Sequence, residues 1–277
     1  MERQPGQSSR DQHSIVKDTY DGAQSDGRYE EGMARMALYH RYCQDPVIFR
    51  ALGTVRGKSL LDLACGDGFY TRRFRAECAA DPVMGIDLSP RQIERAQEIE
   101  RGAPLGIEYR IGDVTHLELD RRFEVATAIH LLHYLENDRE IESALRTIHG
   151  VLGDSGYFVT MIANPEFDLA IHDAADSKAK FAYYFSLAER GNGGLMRFHP
   201  GGFESERELT IEFRRWERGF IDAIAARIGF SSEWHEPFIS AEGLATHGPD
   251  FFANYLANPQ SKLLRLNKHG QIRSPAA

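Results

Sequence analysis

The sequence predicts an α/β protein: a doubly wound, mostly parallel sheet with an N-terminal helical cap and a lid inserted after the fifth strand. Two observations carry that expectation. Between residues 58 and 163, short apolar runs alternate with amphipathic stretches of helical period, the pattern of successive strand–helix units. From 164 to 215 the alternation stops and aromatic and glycine-rich segments replace it, as an insertion would.

The elements follow in order. Residues 1–14 combine Gln, Ser, Arg and Asp with almost nothing to bury, which predicts a disordered tail. From 15 to 57 the apolar positions Met33, Met36, Ala37, Ile48 and Leu52 predict the helical cap, punctuated by Gly53 and Gly57. The runs SLLDLA (59–64), PVMGIDL (82–88), IEYRIGD (107–113), FEVATAI (123–129) and GYFVTMI (156–162) read as buried strands. After the first run, Tyr70, Phe74 and Cys78 recur four apart and share one helical face. Before the fifth, Ile141, Leu145, Ile148 and Leu152 do the same, with Asn137 and Glu140 as an N-cap pair and Gly153 as a stop. The lid holds FAYYFSL, GNGG and ELTIEF, which suit short antiparallel strands. In the C-terminal part of the core, 216–266, helical spacing returns at Phe220, Ile224 and Ile228, closed by Gly229. SEWHEPFIS then offers a last strand, and 267–277 reads as a frayed tail.

Composition narrows the function. The 277 residues are 42% hydrophobic and 27% charged, and no apolar run approaches the roughly 18 residues of a membrane span. The polar start MERQPGQSSRDQHSIVKD lacks the apolar segment of a secretory signal, so a cytoplasmic protein is expected. A formal charge of −8 without a basic stripe argues against nucleic acid. Cys43, Cys65 and Cys78 are odd in number, widely spaced and without a C-x-x-C pair, which argues against a disulfide framework or a thiolate zinc site. His172, His199, His235 and His247 lack ligand spacing, so no metal is expected. Monomer and homodimer both stay open.

The chemistry concentrates in LDLACGDGFYTRRF, residues 60–73. A glycine turn after a first buried strand often cradles phosphate, but a dinucleotide site would read G-x-G-x-x-G, and the Gly-Lys-Ser/Thr of a P-loop is also missing. Here the order is D-x-A-C-G-D-G. An acid inside the loop repels pyrophosphate and suits a ligand with an ammonium group. S-adenosylmethionine (SAM) is such a ligand, with an α-amino group, a sulfonium, a ribose diol and an adenine. Asp62 would meet the ammonium, while Gly66 and Gly68 lack the Cβ atoms that would block close approach. Asp87, ending the second strand in GIDLSP, can take both ribose hydroxyls, and Asp113 in IGDV can accept from the adenine amine. All three would meet outside the carboxyl ends of the strands, where open α/β sheets bind ligands.

DLACGDG, GIDLSP, GDV and FEVATAIHLLHYLEN resemble the successive motifs of class I SAM-dependent methyltransferases, over about residues 58–162. More narrowly, LLDLACGDGFYTRRF, PLGIEYRIGDV and PFISAEGLATHGPDFFANYLANP are similar to bacterial small-molecule methyltransferases of the toxoflavin-biosynthesis type. The resemblance implies a Rossmann-like sheet, SAM as cofactor, S-adenosylhomocysteine as its product, and a small-molecule acceptor from secondary metabolism. It also implies that Leu88 packs on the adenine, that His130 touches the methionine part, and that Tyr20, in Y-D-x-A, closes over the methyl donor. Ala64 and Val114, inside the first and third motifs, complete the implied cofactor set.

His130 and His133 stand three apart after the fourth strand. His133 is the candidate catalytic residue, a general base suited to neutral pH, against the plainer reading that it packs beneath the lid. Phe181, Tyr183, Tyr184, Phe185 and Trp216 could line an acceptor pocket or serve as core, and alternation sets Tyr183 and Phe185 opposite Tyr184. Arg72 and Arg73 read as a solvated helix face, and Cys65 as a packing residue. The expected reaction is in-line methyl transfer to an O or N atom of a small aromatic or heteroaromatic metabolite, with the protein supplying alignment and exclusion of water. Two other readings stay open at this point. One is C- or S-methylation, or a non-methylating SAM reaction, on the same fold; the other is a non-catalytic SAM-binding module.

Overall fold

The computed structural model describes residue 22, residues 27–201 and residues 209–269. Tyr20, the 1–14 segment and most of 267–277 lie outside the described residues. The described chain begins with α1 (Arg28–Arg35) and reaches α2 (Asp45–Leu52) through a helical turn at Ala37–Tyr39 and a π-helical turn at His40–Gln44. Pro46 near the start of α2 gives up no hydrogen bond there, and the helix stops at Gly53, whose φ of 68° a side chain would strain. Its buried face is Val47, Ile48, Ala51 and Leu52.

The central unit runs β1 (Leu60–Leu63), α3 (Phe69–Ala76), β2 (Val83–Asp87), α4 (Pro90–Gly102), β3 (Glu108–Ile111), β4 (Phe123–Ile129), α5 (Asp138–Val151) and β5 (Leu152–Ala163). β1 pairs in parallel with β2 and β4, β2 with β3, and β4 with β5. All four residues of β1 are buried because helices cover both faces, which is why the strand reads as a continuous apolar run. Leu61 and Leu63 enter a core shared with Ile141, Leu145 and Ile148 of α5, while Leu60 enters the opposite core with Ile48, Leu52 and Phe74. The Asn137 side chain caps α5 by accepting from the amides of Arg139 and Glu140, as its spacing predicts.

The lid holds α6 (Ala174–Phe181) and a separate antiparallel sheet of β6 (Tyr183–Ala188), β7 (Gly194–Pro200) and β8 (Ile211–Arg215). Then follow α7 (Arg218–Ile228), β9 (Phe230–His235), α8 (Ala241–His247), α9 (Ala253–Ala257) and β10 (Ser261–Lys268). The seven-stranded sheet has the order β3-β2-β1-β4-β5-β10-β9, and β10 runs antiparallel to both its neighbours. The chain winds outward from β1 to β3 and returns to the other side of β1 as β4. A crevice therefore opens between β1 and β4 at their carboxyl ends.

Three local expectations need correction. α3 ends at Ala76, so Cys78 falls beyond its buried face. Gly153 does not stop α5, because the chain turns directly from Val151 into a β5 that starts at Leu152 and carries a register shift. β10 has no counterpart in the sequence reading, and residues 267–268, read as tail, belong to it. Its polar residues hid it, and the structure pairs them. Lys262 reaches Glu166 and Glu236, and Lys268 donates to the carbonyls of His149 and Leu152, both at 2.7 Å.

Cap, lid and C-terminal helices share one core. Met36, Tyr39, Tyr42 and Cys43 pack with Phe181, Tyr183, Phe185, Met196 and Phe213, and with Phe252 and Tyr255. The cap is therefore held over the sheet edge by the lid.

Candidate functional site

The turn after β1 is built from left-handed residues: Ala64 has φ 51°, Gly66 57° and Gly68 87°. Folding back this way lets the amide of Cys65 donate to the carbonyl of Ile86 at 3.0 Å and the amide of Gly66 donate to Asp87 at 2.8 Å. The other Asp87 oxygen accepts from the amide of Ser89 at 2.8 Å, and Ser89 in turn caps α4. Asp87 is thus held at the end of β2 by backbone donors from the glycine turn and from the start of α4. Gly68 departs from its expected role. It does not line the cavity below, and a Cβ there would lie 2.3 Å from the Tyr109 hydroxyl, so the glycine makes room for Tyr109 and not for a ligand.

Asp62 is buried within β1 and accepts from the hydroxyls of Thr71 at 2.6 Å and Thr127 at 2.7 Å. Burial pushes its carboxyl up to about 6, against the lowering effect of the two hydroxyls and with a smaller upward push from Asp87. Asp113, just beyond β3, accepts from the amide of Thr115 at 2.8 Å and its hydroxyl at 2.7 Å, with His116 at 3.3 Å. Partial burial pushes this carboxyl up, but those hydrogen bonds outweigh it and hold the group below its usual range.

One cavity of about 810 Å³ gathers these residues, near the upper end of the roughly 300–1,000 Å³ common for ligand sites. Asp62, Ala64, Gly66, Asp87, Leu88, Asp113, Val114, His130 and His133 all line it. Leu88 is 39% exposed, an unusual state for a leucine beside a buried strand, and its surface is open to a flat ring. His130 follows β4 with φ 68°, a strained backbone for a non-glycine residue, of the kind that clusters at ligand sites. Burial, with His40 adding to it, lowers its imidazole to about 4. His133 is 3% exposed, with its ring 4.9 Å from that of Phe213 and 5.4 Å from that of His130. Burial and then His130 hold it well below its usual pKa, so it is neutral at pH 7.

Beyond the acidic strand ends the cavity continues between Phe185, Phe198, Ile211 and Phe213 of the lid and Met36 of the cap. Of the five aromatics singled out in the sequence, only Phe185 lines it. Phe181 and Tyr183 are core, Tyr184 stacks on His199 at 4.3 Å, and Trp216 is buried with Nε1 donating to the Leu132 carbonyl at 3.0 Å. Arg72 and Arg73 are not a solvated face. Arg72 pairs with Glu100, and Arg73 pairs with Asp45 at 2.6 Å and Glu77 at 2.8 Å at the cavity rim. Sequence reasoning missed His40, Gln44, Gln260 and Ser261, all of which line the cavity. No local pattern marks them, because each reaches the site only through the packing of cap and C-terminal strand over the sheet edge. Among the described residues no group of three His, Cys, Asp or Glu side chains is arranged to hold a metal ion, and no helix is long and apolar enough to cross a membrane.

Comparison with known proteins agrees with this geometry. Residues 60–156 match a family described as a methyltransferase domain. The ubiquinone biosynthesis O-methyltransferase of Azotobacter vinelandii is 26% identical over 144 residues, 51% of this chain and 58% of its own length. The protein of that name from Coxiella burnetii is 24% identical over 149 residues, 53% of this chain and 60% of its own. The chain thus spans little more than half the length of these curated relatives. In three dimensions, an S-adenosylmethionine-dependent methyltransferase from Mesorhizobium loti superposes with a TM-score of 0.57 at 23% identity, over 80% of this chain and 96% of that one. The glycopeptide N-methyltransferase MtfA, complexed with SAM, gives 0.54 at 17% identity over 79% and 84%. The sheet order and the superposition agree: the chain has the Rossmann-like fold seen in SAM-dependent methyltransferases, and its residues 60–156 match the methyltransferase-domain family.

Proposed function

We propose that the protein binds SAM in this cavity and transfers its methyl group to an O or N atom of a small aromatic or heteroaromatic metabolite. The observation that carries this reading is the continuity of the cavity, acidic where three strands end and aromatic beneath the lid. The residues fit the cofactor. In this reading Asp87 accepts from the ribose hydroxyls, Asp113 accepts from the adenine amine, and Leu88 packs on the ring, since all three line the cavity. Gly66 lets the cofactor approach the backbone, and Asp62 meets the α-ammonium. When bound, SAM supplies a methyl group already activated by its sulfonium. The chain's own task is to hold the acceptor in line and keep water out, which Phe185, Phe198, Ile211 and Phe213 are placed to do. His133, held neutral by burial, can accept a hydrogen bond from a hydroxyl or ring N–H at the acceptor end, and its lowered basicity disfavours full proton transfer. An aromatic chamber beside the cofactor end favours an enzyme over a binding module, and the likeness of the sequence to toxoflavin-type enzymes favours a heteroaromatic acceptor.

Calorimetry with SAM and S-adenosylhomocysteine tests the reading. Micromolar binding of both is expected, and Asp87→Ala should weaken it tenfold or more, since a hydrogen bond to a charged group is worth about 1.5 kcal/mol or more. Unchanged binding in that variant would place the site elsewhere. A structure with S-adenosylhomocysteine bound should show an open path from its sulfur into the aromatic chamber; a sealed sulfur would refute methyl transfer.

A further inference from the structure

The acceptor end of the cavity contains polar atoms whose hydrogen bonds are unmet. Both ring nitrogens of His40 and Nδ1 of His133 are buried and have no hydrogen-bond partner among the described residues, and both side chains line the cavity. Native proteins leave few buried polar atoms in that state, and those they leave call for a ligand or an ordered water. His40 opens the π-helical turn His40–Gln44, and such turns recur at functional sites. It comes from the cap and His133 from the turn after β4, so the two approach the chamber from different parts of the chain.

Both rings are neutral. Burial, and then the charge of Arg73, lowers His40 to about 4, and burial, and then His130, holds His133 well below its usual value. A neutral imidazole offers one acceptor and one donor nitrogen. The arginines that line the cavity are engaged, Arg41 with Glu242 and Arg73 with Asp45 and Glu77. Among the described residues no lysine lines it. The described part of the chamber therefore presents aromatic surface and uncharged hydrogen-bonding atoms, and its arginines are already paired with carboxylates.

We propose that His40 and His133 recognise the methyl acceptor, and that this acceptor is an uncharged, planar phenol or azaheterocycle whose hydroxyl or ring N–H pairs with their unpartnered nitrogens. The inference rests on the SAM-binding reading above and narrows its substrate class. An acceptor of this kind stacks on the lid aromatics with its proton-bearing atom facing the histidines, whereas an anionic analogue would have to shed its hydration against described residues whose cations are already paired.

The test uses the full chain saturated with S-adenosylhomocysteine and matched probe pairs: catechol against protocatechuate, and naphthol against hydroxynaphthoate. Calorimetry should show the uncharged member of each pair binding about tenfold or more tighter. His40→Phe and His133→Phe should each weaken naphthol binding about fivefold or more, with S-adenosylhomocysteine affinity and cooperative unfolding retained. His40→Gln and His133→Gln keep a hydrogen-bonding atom and should recover part of the loss; they also carry the test should a Phe variant not fold. Equal or tighter binding of the carboxylates, no binding of either naphthol or catechol, or naphthol binding unchanged in the variants would overturn the proposal while leaving the cofactor site intact. Failure of S-adenosylhomocysteine itself to bind would overturn the SAM reading, and this one with it.

Discussion

Asp62 is an acid that the folded chain holds against its preference. Its burial raises the pKa from 3.8 to about 6, even though Thr71 and Thr127 donate to both oxygens. For an acid whose folded pKa lies above the unfolded one, the associated stability is fully present below 3.8 and is lost as pH rises through about 6. At about 1.4 kcal/mol per unit, the ionised carboxylate costs about 3 kcal/mol near pH 7. Asp62→Asn keeps the shape, and its amide can accept from one threonine and donate to the other. The raised pKa already contains the threonines' bonds to the carboxylate, so the ligand-free variant should be more stable than the parent by about 3 kcal/mol near pH 7. That gap should shrink as pH falls toward about 4, where the parent's carboxyl is protonated. Urea unfolding followed by tryptophan fluorescence, run on both proteins across that range, reads the gap directly, because every other titrating group is common to the two. A gap independent of pH, or a variant less stable than the parent near pH 7, would refute the account of Asp62 as a strained acid.

The same strain predicts a proton signature. If a cationic ligand settles beside Asp62, SAM binding near pH 6 should release about half a proton, measured as a dependence of the calorimetric heat on buffer ionisation enthalpy, and Asp62→Asn should abolish it. Gly68→Ala should destabilise the fold by about 2–4 kcal/mol, combining a left-handed backbone with a collision against Tyr109. Tyr109→Leu should recover part of that loss in the double variant, read by thermal unfolding. Trp216→Phe removes the shorter of two bonds to the buried Leu132 carbonyl, leaving the Leu135 amide at 3.4 Å, and should cost about 1 kcal/mol. Because Leu132 adjoins His133, that variant should raise the acceptor KM in a methyl-transfer assay more than it changes SAM affinity.

Residues 58–163 were legible because β1, β2 and β4 are short, apolar and almost wholly buried, and the acidic turn is contiguous in sequence. The positions of Asp62, Asp87 and Asp113 at successive strand ends follow from that alternation and from nothing farther away. Local capping was equally readable at Asn137. Where the sequence reading failed, the missing information was non-local. β10 carries lysines and an arginine in a central position, tolerable only because Glu166, Glu236 and backbone carbonyls from distant segments meet the lysines. Gly68 resembled a ligand-facing glycine until Tyr109, forty-one residues on, proved to fill its space.

By itself, then, the sequence determined the sheet's parallel half and the chemistry of its acidic edge, since strand burial and turn geometry are written in neighbouring residues. Only the tertiary structure decided what faces that edge. The cap and the lid join one aromatic core, and this brings His40, Gln260 and Phe185 to the same cavity as His133. Their convergence depends on packing between segments far apart in the sequence, for which no period or motif exists.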